Sequence, residues 1–286
     1  MPAAAPGQRA AVVAGYDDSD SARLAVRWAA RHAAATKRSL EVVHAWVWPV
    51  FTSNLGPVGG VSGSGLRLAA ETIRDSGAAI ARAAAPGLTV TARMLPGLPA
   101  QVLQDAARGA ALLVVGSRGL GGVLGRIAGS VCADLAASAP CPLMVVRRLT
   151  LPGQPVTAAV DADPARTAVV AQAAALAAAM GTGLEILHVA PVDPEHGAGR
   201  ATGGAALLAD AVAEARRLAP GLAVTGTLVP GRHVGRELSA AAAGADVLVL
   251  GSHRRGTGPG NTVSGVLQQA PCNVLVIRKD PCAPGG

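Results

Sequence analysis

Four residues in the first half of the chain have the types and spacing to hold an anion. Gly116, Gly119, Gly129 and Ser130 stand in VVGSRGLGGVLGRIAGS, residues 114 to 130, with two residues between the first two glycines and nine before the third. The stretch leaves an apolar run, passes through glycines and arginines, and reaches Ser130 as an Ala-rich helical pattern begins. A helix start offers N–H groups without intrahelical acceptors, its dipole favours negative charge, and glycines let backbone come close. Phosphate suits such a place. Arg118 and Arg126 add positive charge, and Ser130 and Val131 belong to the first helical turn.

The common phosphate fingerprints do not fit. A Walker A loop needs Gly-Lys-Ser/Thr, and the only lysines are Lys37 and Lys279. A dinucleotide GxGxxG fails because Leu124 stands where its last glycine should, and the loop follows a late strand. No nucleophile and base can be paired by spacing, and neither a carboxylate pair nor a metal-ligand cluster stands out. His44 and His188 recur at one strand position, which reads as packed strand histidines. Cys132, Cys141, Cys272 and Cys282 lack zinc or CxxC spacing and read as buried, reduced thiols. Binding fits these residues better than turnover.

The elements that must position the loop come in two copies. Residues 11 to 17 return as 157 to 161, Val42-Val43-His44-Ala45 as Ile186-Leu187-His188-Val189, and 112 to 117 as 247 to 252. Ala139-Pro140-Cys141 returns as Ala270-Pro271-Cys272, so a whole domain is duplicated. Apolar Val/Leu runs alternate with amphipathic Ala-rich stretches, which implies βα units on parallel sheets. Strands are expected near 10–16, 39–46, 88–95, 111–116 and 142–147, and helices near 20–35, 66–84, 99–109 and 130–138. The second copy places strands near 156–160, 184–190, 222–229, 245–250 and 273–278. The break at 149–155 is the expected linker, dividing the chain into domains 1–150 and 151–286.

If the first and fourth strands are neighbours, their C-terminal ends open a crevice between Asp17 and the glycine loop. Asp17 is then a ligand residue or a helix cap, a task that Ser19 or Asp20 could also perform. Trp46 and Trp48 are expected beneath the following loop. The Gly-rich stretches 57–65 and 197–204 read as long loops over the crevice.

Half of the residues are apolar, but there are only one Tyr, one Phe and three Trp, so Ala, Val and Leu must fill the core. The net charge of +7 lies wholly in residues 1–150, where 15 Lys and Arg face 8 Asp and Glu; the remainder holds 10 of each. Such a basic half could meet nucleic acid or a small anion, or serve solubility. The scarcity of aromatics argues against single-strand recognition, and Arg23, Arg27 and Arg31, four apart, read as a solvated helix face. No apolar run has membrane length, and the expected location is the cytoplasm.

The glycine spacing, an Asp closing the first strand, and the strand 139–146 that opens with Ala-Pro-Cys-Pro together resemble the universal stress protein family, over nearly the whole chain as a tandem pair. The resemblance implies an α/β fold of two tandem doubly wound parallel sheets, each in the order 3-2-1-4-5, with helices on both faces. It implies ATP as ligand, with Mg, and puts Gly116, Gly119, Gly129 and Ser130 on ribose and phosphates and Asp17 by the nucleoside; Arg118 and Arg126, whose charge need not touch the ligand, and Val131 complete the expected site. Backbone around Ala45, from His44 to Trp46, would line the adenine side. The two halves would pack through their fifth strands, with a homo-oligomer as a further possibility.

The second copy departs from the pattern. Gly260-Asn261 replaces Gly129-Ser130, the interval from Gly251 is four residues shorter, and Arg254 takes the second glycine's place. Arg254, Arg255, Gly256, Gly258 and Gly260 could form a looser anion pocket. The first domain is thus the expected ATP site of a nucleotide-dependent regulatory or stress-response module. Alternatives are a slow ATPase or nucleotidyl-transfer enzyme in the same crevice, and a nucleotide-free scaffold.

Overall fold

Strands of four to seven residues, rich in Val, Leu and Ala, are buried on both faces at the centre of the sheet, the pattern of a parallel sheet covered by helices, while the outer strands at Val90–Pro96 and Val224–Pro230 keep exposed positions. The structure, a computed structural model, describes residues 9–46, 65–119, 129–164, 166–190, 199–252 and 260–278. The first half runs β1 (Val12–Gly15), α1 (Asp20–Ala35), β2 (Leu40–Trp46), α2 (Gly65–Ala84), β3 (Val90–Pro96), α3 (Pro99–Ala106), β4 (Leu112–Gly116), α4 (Ser130–Ser138) and β5 (Leu143–Val146). The second runs β6 (Val156–Ala159), α5 (Arg166–Met180), β7 (Leu184–Ala190), α6 (Gly199–Leu218), β8 (Val224–Pro230), α7 (Val234–Ala241), β9 (Val247–Ser252), α8 (Asn261–Gln269) and β10 (Asn273–Arg278).

Each half has the strand order 3-2-1-4-5, but the two sheets expected from the sequence are one. The order is β3-β2-β1-β4-β5-β10-β9-β6-β7-β8. Every pairing is parallel except β5 with β10, which run antiparallel with Met144 opposite Leu275. The physical reason is that each fifth strand would otherwise expose unpaired backbone beside buried apolar side chains. Alternate residues of the joined strands feed two cores. Val12, Val114, Met144, Leu275 and Val249 share one, and Val13, Leu113, Val145, Val274 and Leu248 the other, so both cores cross the junction.

The join is reinforced by polar groups at the strand ends. Arg147 donates to the carbonyl of Leu267 in α8, and Arg278 donates to the carbonyl of Ala139, just past α4, at 2.8 Å. Each half thus caps a helix end of the other. Fully buried Asn273 accepts from the amides of Arg147 at 2.8 Å and Arg148 at 3.1 Å through Oδ1. The expected linker is pinned down: Asp246 Oδ1 accepts from Leu151 N–H at 3.1 Å, and Arg148 donates to Ala245 O at 2.6 Å.

The Gly-rich stretches differ from the expected loops. Gly65 opens α2, residues 57–64 lie outside the described residues, and 199–204 form the first turns of α6. Buried Gly204 lies against His188, where a Cβ would stand 3.2 Å from the ring, so packing of helix on strand outweighs glycine's poor helix propensity. Arg27 and Arg31 of α1 are exposed as expected, and Arg23 pairs with Asp18 at 2.6 Å.

Two outcomes follow from these contacts. Asn273→Ala leaves two amides at the junction without their acceptor and should lower unfolding stability by about 1–3 kcal/mol in denaturant titration. His32 stacks on Trp28 with centroids 5.0 Å apart. Burial, and then the charge of Arg38, push its imidazole down to about 4. The unfolded chain binds that proton near pH 6.5 and the folded chain only near 4, so stability should hold above this window and fall as pH drops through it. His32→Phe, which keeps the stack, should flatten that fall in melts run across the window.

Candidate functional site

At the C-terminal end of β1 the chain turns through Tyr16, Asp17 and Asp18 into α1. Asp18 takes left-handed backbone, φ 66°, which aspartate tolerates better than most side chains. Its Oδ1 accepts from the Tyr16 hydroxyl at 2.7 Å and from Arg23. Ser19 is the N-cap, its Oγ accepting from Ala22 N–H at 3.2 Å. Asp17 Oδ1 accepts from Ser19 N–H at 3.1 Å and from Ser19 Oγ at 2.6 Å. Asp17 therefore does not cap the helix; it holds the residue that does.

The glycine loop leaves β4 against that corner. A Cβ on Gly116 would lie 2.6 Å from the carbonyl carbon and Oγ of Ser21, so only glycine lets the strand end rest on the start of α1. Ser21 Oγ donates to the Arg118 carbonyl and accepts from the Arg118 amide at 3.3 Å. Gly119 faces Asp17, whose Oδ2 would be 2.8 Å from a Cβ there. Gly129 N–H donates to Ser117 O at 3.1 Å and closes the base of the loop. Residues 120–128, Arg126 among them, lie outside the described residues.

Gly129, not Ser130, is the N-cap of α4, with φ −64° and no side-chain capping bond; Ser130 is the first helical residue. The N–H groups of Ser130, Val131 and Cys132 therefore have no intrahelical acceptor, and the cap supplies none. They open on a cavity of about 310 Å³. Asp17, Ala45, Gly116, Arg118, Gly119, Gly129, Ser130 and Val131 all line it. Eight of the nine residues singled out in the sequence thus meet in one place, although more than a hundred positions separate the first from the last.

The wall opposite escaped sequence reading. Val43, Pro99, Leu103 and Val115 give the cavity an apolar side. Leu103 lies on Gly15, where a Cβ would meet its Cδ1 at 2.8 Å. Proline at the first position of α3, followed four residues later by Leu103, is the one signal that could have found it.

The residues with reactive chemistry are engaged. His44 is buried, with Nδ1 2.9 Å from the Tyr16 carbonyl; a carbonyl only accepts, so Nδ1 carries the proton. His188 repeats the contact with Val160 at 2.8 Å, which makes the pair a duplicated brace between neighbouring strands. Cys132 Sγ donates to Gly116 O at 3.0 Å, and burial pushes the thiol up to about 12. Cys141 and Cys272 are likewise buried free thiols, and Cys282 lies outside the described residues, as does Trp48.

In the second copy Asp161 Oδ1 accepts from Asp163 N–H at 3.0 Å, the same turn as at Asp17. The loop ends differ. Gly260 meets α8 with φ 82°, whereas Gly129 meets α4 with φ −64°, so the shortened loop reaches its helix from another direction. Arg254, Arg255, Gly256 and Gly258 lie outside the described residues.

The model of the universal stress protein family matches this chain twice, over residues 9–147 and 153–278. The chain belongs to the universal stress protein family. A universal stress protein of Mycobacterium tuberculosis, Rv2623, is 31% identical over 288 residues, which cover 94% of this chain and 96% of the relative. One from Mycolicibacterium smegmatis is 31% identical over 294 residues, covering 93% and 96%. The crystal structure of a universal stress protein from Archaeoglobus fulgidus superposes with a TM-score of 0.69 at 16% identity, covering 94% of this chain and 98% of that one, a likeness of fold. Among the described residues no helix is long and apolar enough to cross a membrane.

The family's glycines are separable by what surrounds them. Gly116→Ala drives a Cβ into the Ser21 backbone and should lower stability by about 1–3 kcal/mol. Gly129→Ala meets nothing nearer than 3.9 Å at an ordinary φ, so it should lose only glycine's modest N-cap preference over alanine and melt above Gly116→Ala. Thermal melts of the two variants side by side check this.

Proposed function

We propose that the first half of this universal stress protein binds ATP in the 310 Å³ cavity and acts as a nucleotide-dependent regulatory module. One observation carries the reading. The uncapped start of α4, the glycine loop and the Asp17 carboxylate converge on one cavity whose far wall is apolar. The phosphates would lie over the N–H groups of Ser130, Val131 and Cys132, with Arg118 adding positive charge. The base would lie between Val43, Ala45 and Leu103, as small-molecule pockets combine an apolar lining with a few placed polar groups. Mg suits this donor set. Asp17 is the single carboxylate among the described lining residues, and Mg commonly takes one or two carboxylates beside phosphate oxygens and water. The ion would neutralise phosphate charge there, with Asp17 as its protein ligand.

The reading is of a binder rather than a catalyst. His44 and Cys132 are each committed to a main-chain carbonyl, and the thiol is far from ionised at neutral pH. The shorter loop and altered approach of Gly260 make the first copy the competent one.

Calorimetry with Mg-ATP should therefore find about one site per chain. Gly129→Val should weaken it at least tenfold, since a branched side chain fills the space where phosphate must approach the helix start. Absence of binding by the nucleotide-stripped chain, or unchanged affinity in the variant, overturns the reading in favour of a scaffold. Steady turnover that is lost in Asp17→Asn while ATP still binds would make the protein an enzyme. Titration with AMP and cAMP alongside ATP reads the phosphate preference.

A further inference from the structure

The opposite end of the first half carries charge that neither the fold nor the nucleotide reading uses. At the N-terminal ends of β1, β2 and β3, about 20 Å along the strands from the glycine loop, lies an open cleft of about 440 Å³. Arg9, Lys37, Arg38, Ser39, Gly87 and Thr89 line it. Three cations and two hydroxyls face one space with no carboxylate in the lining, and none of the three cations is in an ion pair among the described residues.

The duplication supplies a control for this cleft within the same molecule. Leu40 pairs with Val12 as Leu184 pairs with Val156, so Arg9, Lys37 and Arg38 correspond to Gly153, Gly181 and Thr182. All three cations are absent from the second copy, and helix termination does not suffer. Lys37 N–H bonds to Ala34 O and Arg38 N–H to Ala33 O after α1; Gly181 to Ala178 and Thr182 to Ala177 repeat the pattern after α5. Arg38 Nη1 donates to Ala10 O at 2.7 Å, and Thr182 Oγ1 donates to the equivalent Gln154 O at the same distance. The fold asks for a donor there, and a neutral hydroxyl suffices. Lys37 holds left-handed backbone, φ 54°, where the second copy has glycine at φ 65°. A lysine thus stands where the backbone favours glycine.

Some neighbouring charges recur in the second copy, although Thr227 stands in place of Arg93 there, and Ala171 and Ala175 in place of Arg27 and Arg31. Glu41, paired with Arg93 at 2.8 Å, has a carboxylate counterpart in Glu185, and Arg82, which donates to Val90 O, has Arg216 donating to Val224 O. The three added cations account for part of the charge excess of the first half. Arg9 donates to Thr36 O at 3.1 Å as Arg38 does to Ala10 O, so each guanidinium is oriented by one bond and keeps further N–H donors.

We propose that this cleft is a second anion site of the first half, independent of the nucleotide cavity, for the phosphate or pyrophosphate group of a small soluble molecule. Paired guanidiniums and an ammonium match a multiply charged phosphate. A compact cleft without aromatic lining suits a small ligand better than a nucleic acid strand.

The test is calorimetric titration of the full chain with inorganic pyrophosphate, using the Gly129→Val chain so that the glycine loop does not contribute. In that background, Arg9→Gly, Lys37→Gly and Arg38→Thr together install the second copy's own residues, and a thermal melt checks that the chain stays folded. Pyrophosphate should bind the Gly129→Val chain and bind the fourfold variant at least tenfold more weakly. No pyrophosphate binding before the three changes, or equal affinity after them, overturns the proposal. So does a result in which duplex DNA or phosphatidic acid vesicles, and not pyrophosphate, depend on the three cations.

Discussion

The antiparallel pairing of β5 with β10 is the contact on which the rest of this molecule hangs. Either strand alone would be a bare sheet edge lined with apolar side chains, and their union removes both edges at once. It also merges two pairs of small cores into two continuous ones, so each half supplies apolar surface that covers the other. Arg147 and Arg278 cross the junction in opposite directions to helix-end carbonyls, and Asn273 holds the two amides that follow β5. The helix whose start faces the 310 Å³ cavity is therefore held at its other end by the second half.

Within that frame the C-terminal ends of β1 and β4 part to opposite faces, and a crevice is left between them. Its polar side is built by steric permission as much as by chemistry. Gly116 lets β4 reach Ser21, Gly119 leaves room for the Asp17 carboxylate, and Gly129 caps a helix without covering its N–H groups. Gly116 is thus a structural requirement of the corner, Gly119 makes room for the end of the Asp17 side chain, and Gly129 is the one that leaves space for a ligand.

Duplication has let the two halves diverge at their ends while the sheet between them stayed the same. Histidine braces, Asp turns and Ala-Pro-Cys strand openings recur in both. The second half has lost the length of the glycine loop and carries no cations at the equivalent lower cleft. Charge and loop length can change there because they lie outside the buried layers, where any change of volume is felt.

The sequence alone determined the βα alternation, the duplication and the glycine spacing, because hydrophobic periodicity and self-similarity are local properties of the chain. Eight of the nine singled-out residues that line the cavity could be named without coordinates because the glycine spacing and the strand-end aspartate are local patterns, and the family resemblance those patterns carry supplied Ala45. Tertiary structure decided what depends on distant contacts. It showed that two sheets are one, that residues 199–204 are helical with Gly204 lying against His188, and that Gly116 answers to Ser21 almost a hundred residues away. It brought Leu103 to the cavity wall and gathered Arg9, Lys37 and Arg38 into one cleft. Spacing along a chain cannot report such meetings, since they are set by which faces the sheet buries and not by any neighbour in sequence.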